Sequence, residues 1–164
     1  MVELNRIELH TIGKLITPHK TIENIPVQAV GGREFTGIAE LVPELAVGLE
    51  SLDGFSHMIV LFHLHKITGY SLTVKPFMDT KLHGIFATRS PRRPSAIGMS
   101  TVKIIKVEAN RVYFEGADML DGSPLIDIKP FFAKVDNVPG TISGWLESKD
   151  NDVAEKTRSD DRFA

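Results

Sequence analysis

One short stretch of the chain, GIFATRSPRRPSAIGMS at residues 84–100, concentrates side chains suited to binding an anion. It contains Arg89, Arg92 and Arg93 together with two prolines. Each proline fixes its φ at about −65° and removes one backbone donor, so the loop is stiff. Guanidinium groups on a stiff loop favour planar, bidentate recognition of phosphate or carboxylate, whereas isolated exposed ion pairs add little stability. The stretch therefore predicts an anion-binding or RNA-binding site, and by itself it indicates no reaction.

A pair of histidines offers a second kind of chemistry. His63 and His65 stand two residues apart in LFHLH, so on one continuous strand both side chains would project from the same face. They could be metal ligands, with His57, His83 or Asp79 completing the set, but two ligands do not make a zinc site and no spacing requires a third. Strand histidines that bond to the backbone or across strands are commoner, so no metal is expected.

The third candidate is a turn in ADMLDGSPLIDIKP, residues 117–130. Asp121 and Gly122, followed by Ser123 and Pro124, predict a tight turn. Taken alone, such an aspartate most often bonds to its own backbone in an Asx-turn. In the functional interpretation, the carboxylate and the turn carbonyls accept hydrogen bonds from an amino group or face a positive charge on a ligand.

Several classes of protein find no support in the sequence. The chain has no G-x-G-x-x-G motif and no G-x-x-x-x-G-K-[ST] motif, so the sequence does not support a Rossmann dinucleotide site or a P-loop. It also has no G-x-S-x-G motif, so it does not support serine-hydrolase chemistry. It has no cysteine, which excludes disulfides, thiolate catalysis and cysteine-ligated metals. No run approaches the roughly 18 apolar residues of a membrane span, and the start MVELNRIELH is unlike a signal peptide. We therefore expect a cytoplasmic protein with no membrane contact.

The charge distribution is compatible with a nucleic-acid partner. The formal net charge is −2, which alone argues against phosphate binding. However, residues 80–107 carry six lysines and arginines and no acid. A local positive patch on a nearly neutral protein is therefore predicted, although lysines on exposed strand faces could simply face water.

The elements that would position these groups are mostly strands. RIELHTIGKLIT and EFTGIAEL alternate, HMIVLFHLH is apolar on both faces before it begins to alternate, and TVKIIKVEA and RVYFEG flank a predicted hairpin turn at Asn110. Their short lengths favour an all-β fold, mainly an antiparallel barrel, with short helical segments. The apolar pattern of VKIIKV changes parity, which indicates a bulge or a strand buried on both sides. PELAVGLESLDGF is the one good helix candidate, starting at Pro43 and ending before Gly54.

Domain organisation is predicted to be simple. Residues 1–146 fit a single barrel domain, and nothing indicates a repeat or a second domain. Residues 147–164 are charged and nearly free of large apolar groups, so we expect a mobile tail or a segment ordered by a partner.

Three long blocks, GLESLDGFSHMIVLFHLH, GIFATRSPRRPSAIGMS and DMLDGSPLIDIKPF, follow one another along the chain in this order. They resemble the TsaA-like family of tRNA adenosine-N6 methyltransferases, and the resemblance spans residues 7–132. The resemblance implies a non-Rossmann β-barrel enzyme that works as a homodimer. It also implies transfer of a methyl group from S-adenosyl-L-methionine to N6 of threonylcarbamoyladenosine, next to the anticodon of tRNA.

Site residues follow from the same resemblance. The segment IPVQ is similar to the family's Pro-Arg-Gln segment, His65-Lys66 to its His-Gln pair, Arg89 to its Thr-Arg-Ser arginine and LDGS to its Leu-Asp-Gly-Thr turn. The cofactor-binding positions so implied are Pro26, Val27, Gln28, His65, Lys66, Arg89, Met99, Leu120, Asp121, Gly122 and Ser123. Asp121 or His65 would accept the N6 proton, and Arg92 and Arg93 would bind the tRNA phosphates or the threonylcarbamoyl carboxylate.

The chain departs from the family pattern at three places. Val27 replaces an arginine, Lys66 replaces a glutamine, and Ser95-Ala96 stands where the family usually has Asn-Pro.

An alternative function from another class is a β-barrel that binds RNA without catalysis, because basic loops on β-barrels often bind RNA without any reaction.

Overall fold

The computed structural model describes residues 5–149 and 152–160. Within them, six strands form a closed antiparallel barrel and two short strands pair separately. The strands are β1 Gly13–Ile16, β2 Thr36–Leu41, β3 His57–His63, β4 Thr73–Val74, β5 His83–Gly84, β6 Ile97–Glu108, β7 Arg111–Glu115 and β8 Pro124–Pro130. The helices are α1 Ala133–Asp136 and α2 Val153–Lys156, with 3-10 turns at Ala29–Gly32, Pro43–Leu49, Leu52–Gly54, Ile85–Ala87 and Gly144–Ser148.

The barrel strands follow the order β1, β2, β7, β6, β3, β8, and β8 pairs with β1 to complete the circle. Every one of these pairings is antiparallel. The predicted all-β barrel with short helical segments is confirmed. Closure leaves the barrel without an open edge, as expected for a sheet of short strands.

The core fills the barrel interior because side chains alternate along each strand. In β3, Met58, Val60 and Phe62 are buried, whereas the residues between them are partly exposed. Leu15 of β1 and Phe114 of β7 are fully enclosed beside them.

Two glycines make room for aromatic rings of the core. A Cβ added to Gly37 would lie 2.4 Å from Cζ of Phe114, and one added to Gly98 would lie 2.4 Å from Cζ of Phe62. Each ring therefore occupies the space that a side chain would otherwise take.

The bulge predicted in VKIIKV is present. The register of the β6–β7 ladder shifts between Ile104 and Lys106. Ile104 packs against the core and Ile105 is exposed, which accounts for the change of parity in the apolar pattern.

Two details differ from the sequence-based expectations. The predicted first strand begins only at Gly13, since no strand occupies residues 5–12. The single predicted helix is two 3-10 turns, Pro43–Leu49 and Leu52–Gly54. The helix is interrupted by Glu50, whose ψ of 132° is extended, and by Ser51, whose φ of 67° lies in the left-handed region.

The charged C-terminal segment packs against the barrel domain where it is described. Gly144–Ser148 forms a 3-10 turn, and α2 follows it. Ser159 then pairs with residues near Ile25, through Ser159 N–H to the Ile25 carbonyl at 2.8 Å and Asn24 N–H to the Ser159 carbonyl at 2.9 Å. The predicted mobility of residues 147–164 stays a prediction, and residues 150, 151 and 161–164 lie outside the described part.

Within the described residues, no helix has the length and apolar character needed to cross a membrane.

Candidate functional site

A cavity of about 820 Å³ opens beside the barrel, in the size range of ligand pockets. Segments that are far apart in sequence form its walls. The lining residues lie within 22–28, 62–67, 76–78, 86–91, 97–100, 118–120, 143–149 and 153–159, together with Ser123. Most of the lining is apolar, with a small set of polar and charged groups among it. Such a lining suits a ligand that has both an apolar body and a few groups to be oriented.

The cavity gathers most of the positions predicted to bind the cofactor. Nine of the eleven line it: Pro26, Val27, Gln28, His65, Lys66, Arg89, Met99, Leu120 and Ser123. Arg89 Nη1 donates a hydrogen bond of 2.8 Å to Gln28 Oε1, although the two residues are 61 positions apart. The stiff arginine loop and the IPVQ segment therefore form one wall.

Asp121 and Gly122, the other two positions, do not line the cavity. Asp121 Oδ1 accepts a 2.9 Å hydrogen bond from Thr17 N–H, and its Oδ2 forms a 2.7 Å ion pair with Lys20 Nζ. The Lys20 ammonium holds the pKa of the Asp121 carboxyl below its usual value. Gly122 has a φ of 74° and donates to the Leu15 carbonyl. These contacts fasten the turn to the segment around β1, and the roles of Asp121 and Gly122 in cofactor binding stay predictions.

The two histidines do not share a strand face. β3 ends at His63, which is exposed, and His65 lies in the following turn, where it lines the cavity. Burial, with a smaller effect from the charge of Lys66, lowers the pKa of His65. Its imidazole is therefore neutral at pH 7 and can donate or accept a hydrogen bond inside the cavity.

The metal alternative finds no ligand set in the described part of the chain. There, no three residues among histidine, aspartate and glutamate stand close enough to hold one ion. The side chains considered as further ligands have other partners: His83 Nε2 lies 2.9 Å from Asp79 Oδ2, and His57 Nδ1 lies 2.9 Å from Ser56 Oγ.

The two arginines predicted to bind RNA differ in their surroundings. Nη1 of Arg93 donates to the carbonyls of Ile85, Thr88 and Ser90 at 3.2, 2.7 and 3.4 Å. This guanidinium therefore holds the loop in shape. Arg92 is half-buried and its own carbonyl accepts from Ser71 N–H at 3.2 Å. Contact of either arginine with RNA stays a prediction.

Sequence reasoning missed Asp118, an acid in the cavity wall. It sits between buried Ala117 and Met119, and Ser100 Oγ of β6 donates a 2.6 Å hydrogen bond to its Oδ1. Burial raises the pKa of the Asp118 carboxyl to about 7, against the smaller opposing effects of Ser100 and the Arg89 charge. The signal in the sequence was an acid enclosed by apolar neighbours in GADML.

A second polar group in the wall lacks a partner. Ser90 Oγ is buried and has no hydrogen-bond partner among the described residues. Since buried hydroxyl groups are nearly always satisfied, this oxygen is available to a ligand in the cavity.

The C-terminal segment forms another wall. The Trp145 ring stacks on His83 with centroids 4.4 Å apart, and Trp145 Nε1 donates to the Ala87 carbonyl at 2.8 Å. Lys149 Nζ lies 3.2 Å from Asp79 Oδ1. The hydrogen bond from His83 is the main cause that holds the pKa of Asp79 well below its usual value. Charged and aromatic contacts thus fasten this wall beside the arginine loop.

Comparison with protein families gives one clear match. The family model for the tRNA-methyltransferase O N-terminal domain matches residues 14–137. A probable S-adenosyl-L-methionine-binding protein of Pyrococcus abyssi is 39% identical over 152 residues, which is 93% of this chain and 82% of that protein. The tRNA (adenine(37)-N6)-methyltransferase of Mus musculus is 44% identical over 92 residues, which is 54% of this chain and 21% of that enzyme.

A solved structure agrees with the barrel. The crystal structure of TrmO from Pseudomonas aeruginosa superposes with a TM-score of 0.72 at 31% identity, and covers 86% of this chain. The chain spans 63% of that structure. The similarity therefore includes most of this chain and a part of its longer relatives.

Proposed function

Because the chain belongs to the tRNA-methyltransferase O N-terminal domain family, we propose that it is an S-adenosyl-L-methionine-dependent tRNA methyltransferase. More narrowly, it methylates N6 of the adenosine next to the anticodon when that base carries a threonylcarbamoyl group. The proposal includes action as a homodimer and, since tRNA is the substrate, a place in the cytoplasm.

One observation carries the proposal. Nine positions that the sequence resemblance assigns to cofactor binding, spread from Pro26 to Ser123, line a single cavity. A barrel that only binds RNA on its surface would not need to bring these distant segments around one cavity. The cavity therefore favours an enzyme with a cofactor over the silent RNA-binding module.

The cavity also fits S-adenosyl-L-methionine chemically. Its volume of about 820 Å³ accommodates a nucleoside with an amino-acid chain and leaves room for a second reactant. The unpartnered Ser90 hydroxyl and the neutral His65 offer hydrogen bonds to ribose or amino groups. Arg89, fixed by Gln28, offers a cation to the cofactor's carboxylate. When bound, the cofactor supplies an electrophilic methyl group on a sulfonium sulfur.

The substrate base would approach from the exposed side of the same loop. Phe86 lines the cavity while 77% of its surface remains exposed. Aromatic faces stack unpaired RNA bases, and Lys66 nearby in the lining adds a positive charge where a carboxylate on the base could bind. Holding N6 against the methyl carbon in line with the leaving sulfur supplies much of the acceleration by positioning.

Two of the departures from the family pattern, Val27 and Lys66, line this cavity. Lys66 brings a charge where relatives have an amide, and Val27 removes a guanidinium. Together these two replacements leave the number of positive charges unchanged, but one positive charge lies in the turn after β3 instead of in the IPVQ segment. We expect this shift to alter contact with RNA more than contact with the cofactor.

The test begins with calorimetric titration of S-adenosyl-L-methionine into the full chain, with Arg89→Ala and the charge-matched control Lys106→Ala. Lys106 is exposed at the β6–β7 hairpin and paired with Glu108. Saturable binding that Arg89→Ala weakens and Lys106→Ala keeps supports the cofactor site. Absence of binding by the wild-type protein, with its fold intact, refutes it.

The second stage supplies tRNA with and without the threonylcarbamoyl group and measures nucleosides by mass spectrometry. Methylation of the modified tRNA alone supports the narrower substrate. Methylation of both tRNAs refutes only the requirement for the threonylcarbamoyl group. Methylation of neither tRNA favours the alternative that the protein binds RNA without catalysis.

A further inference from the structure

We propose that the Asp118 carboxylate is the general base that removes the N6 proton during methyl transfer, and that Ser100 positions it. This inference rests on the proposed function, because it assigns a role within the same reaction. Neither the family comparison nor the site residues inferred from the sequence include Asp118.

The position of Asp118 follows from the barrel. It lies in the loop between β7 and β8, directly after Ala117, whose carbonyl lies 2.9 Å from His19 Nε2. The Ser100 hydroxyl reaches it from β6 and holds Oδ1 at 2.6 Å. The carboxylate is thus fixed in the cavity wall, and it keeps further lone pairs to accept a proton.

The reaction requires such a group. The lone pair of an adenine N6 is delocalised into the ring and, in the threonylcarbamoyl derivative, into the carbamoyl group as well. A base that takes the proton as the new bond forms restores the nucleophilicity of the nitrogen. As the N6–CH3 bond forms and the S–CH3 bond breaks, the N6–H bond breaks and its proton passes to Asp118. The electron pair of the S–CH3 bond stays on sulfur in S-adenosylhomocysteine, and Asp118 then releases the proton to water.

The two acceptors suggested by the family resemblance are less suited to this step. Asp121 is outside the cavity lining and is paired with Lys20 at 2.7 Å, which lowers its pKa and its basicity. His65 lines the cavity, but burial lowers its pKa, so it is a weak base. By contrast, the pKa of Asp118 at about 7 matches the working range of a general base near neutral pH.

The surroundings of Asp118 set how it titrates. Ser100 faces it from β6 and Arg89 from the arginine loop, and both favour its charged form. Lys66 and His65 from the turn after β3, and Glu147 and Lys149 from the C-terminal segment, line the same cavity. Apolar burial outweighs the Ser100 and Arg89 contributions, so the carboxyl gains and loses its proton near neutrality.

The kinetic test compares Asp118→Asn with the matched control Asp127→Asn on the full chain. Asp127 is on β8, outside the cavity lining, and pairs with Lys129 at 2.7 Å. In single turnovers on modified tRNA, we expect Asp118→Asn to lower the rate constant by about 100-fold or more. Its dissociation constant for S-adenosyl-L-methionine should stay within about threefold of wild type, since Asn keeps the shape and the acceptor for Ser100. The control should keep the wild-type rate.

The pH profile separates a base from a structural group. The wild-type rate constant should rise with pH to a plateau above the pKa of Asp118, and Asp118→Asn should lose this ascending limb. Because Ser100 stabilises the charged carboxylate, Ser100→Ala should move the limb to higher pH and recover much of the wild-type rate there. A merely structural serine would lower the rate equally at every pH.

A readout without cofactor or tRNA completes the design. Carbon NMR of the isotopically labelled protein, with Asp118→Asn to assign the resonance, should give a titration of the Asp118 carboxyl well above pH 5. A titration near pH 4, or an unchanged rate in Asp118→Asn, overturns the assignment of Asp118 as the general base. In that case, methylation of tRNA by the wild-type protein still supports the proposed function. Wild-type protein that neither binds the cofactor nor methylates tRNA overturns the proposed function, and the role of Asp118 with it.

Discussion

Replacing Asp118 by asparagine should make the protein more stable at alkaline pH, apart from any effect on activity. The folded state keeps the Asp118 carboxyl in a buried place, where its pKa rises from 3.8 to about 7. In the unfolded chain the carboxyl returns to its ordinary pKa. The folded state therefore binds a proton that the unfolded state does not hold between these two values.

The size and sign of the effect follow from this difference. Below the unfolded pKa both states are protonated, and the favourable burial of the neutral group is fully present. As pH rises toward about 7, stability falls by about 1.4 kcal/mol for each pH unit, and above the folded pKa it falls no further. The total loss is on the order of 4 kcal/mol, of which about 3 kcal/mol lies between pH 5 and pH 8. Asparagine carries no charge at any pH and loses none of this stability.

Urea denaturation of both proteins at a series of pH values measures the effect. All other groups titrate alike in the two proteins, so the difference between their free energies of unfolding isolates Asp118. We expect the advantage of Asp118→Asn to grow by about 3 kcal/mol from pH 5 to pH 8. An advantage that stays constant with pH would show that the carboxyl is hydrated in the folded state. A disadvantage that grows toward pH 8 would show an anion stabilised by Arg89, and would refute the reasoning.

Two further predictions concern the frame of the site. Gly37→Ala should destabilise the fold by about 1–3 kcal/mol, because the new Cβ would lie 2.4 Å from the Phe114 ring. Thermal unfolding measures this loss. Gly84→Ala serves as the control, because a Cβ added to Gly84 would have no atom within 4 Å. Trp145→Ala should speed tryptic cleavage near Lys149 several-fold, because the C-terminal wall loses the stacking of Trp145 on His83 and its hydrogen bond to the Ala87 carbonyl. Equal rates of cleavage in the wild-type protein and this variant would contradict the idea that Trp145 holds this wall in place.

The sequence predicts the barrel well because its evidence is local and repeated. Alternation in EFTGIAEL is a direct consequence of one buried strand face, and even the bulge near Ile105 appears in TVKIIKVEA as a change of parity. The end of a strand is harder to predict. Nothing in LFHLH reveals that pairing stops at His63 and that His65 turns toward the cavity.

Asp118 and the C-terminal wall escape sequence reasoning for a different reason. The burial of Asp118 depends on Ser100 and on the loops that surround it, none of which is near it in sequence. The segment from Trp145 onward has a composition that predicts no core, yet it is held by contacts that include the indole ring of Trp145, the ion pair of Lys149 with Asp79 and the backbone of Ser159. The composition of a segment describes its average polarity, whereas these contacts each join one residue to a distant part of the chain. Composition therefore does not predict them.

The pairing of Ser159 with Asn24 and Ile25 joins residues about 135 positions apart in the chain. Closing a loop of that length carries an entropic cost, and long-range contacts of this kind raise the contact order of the fold. The cavity wall therefore depends on both ends of the chain being in place. A ligand that binds in it acts on the whole folded chain, and at 100 times its dissociation constant adds about 2.7 kcal/mol to the free energy of unfolding. A cell rich in the methyl donor would thus hold this protein folded as well as supply its reaction.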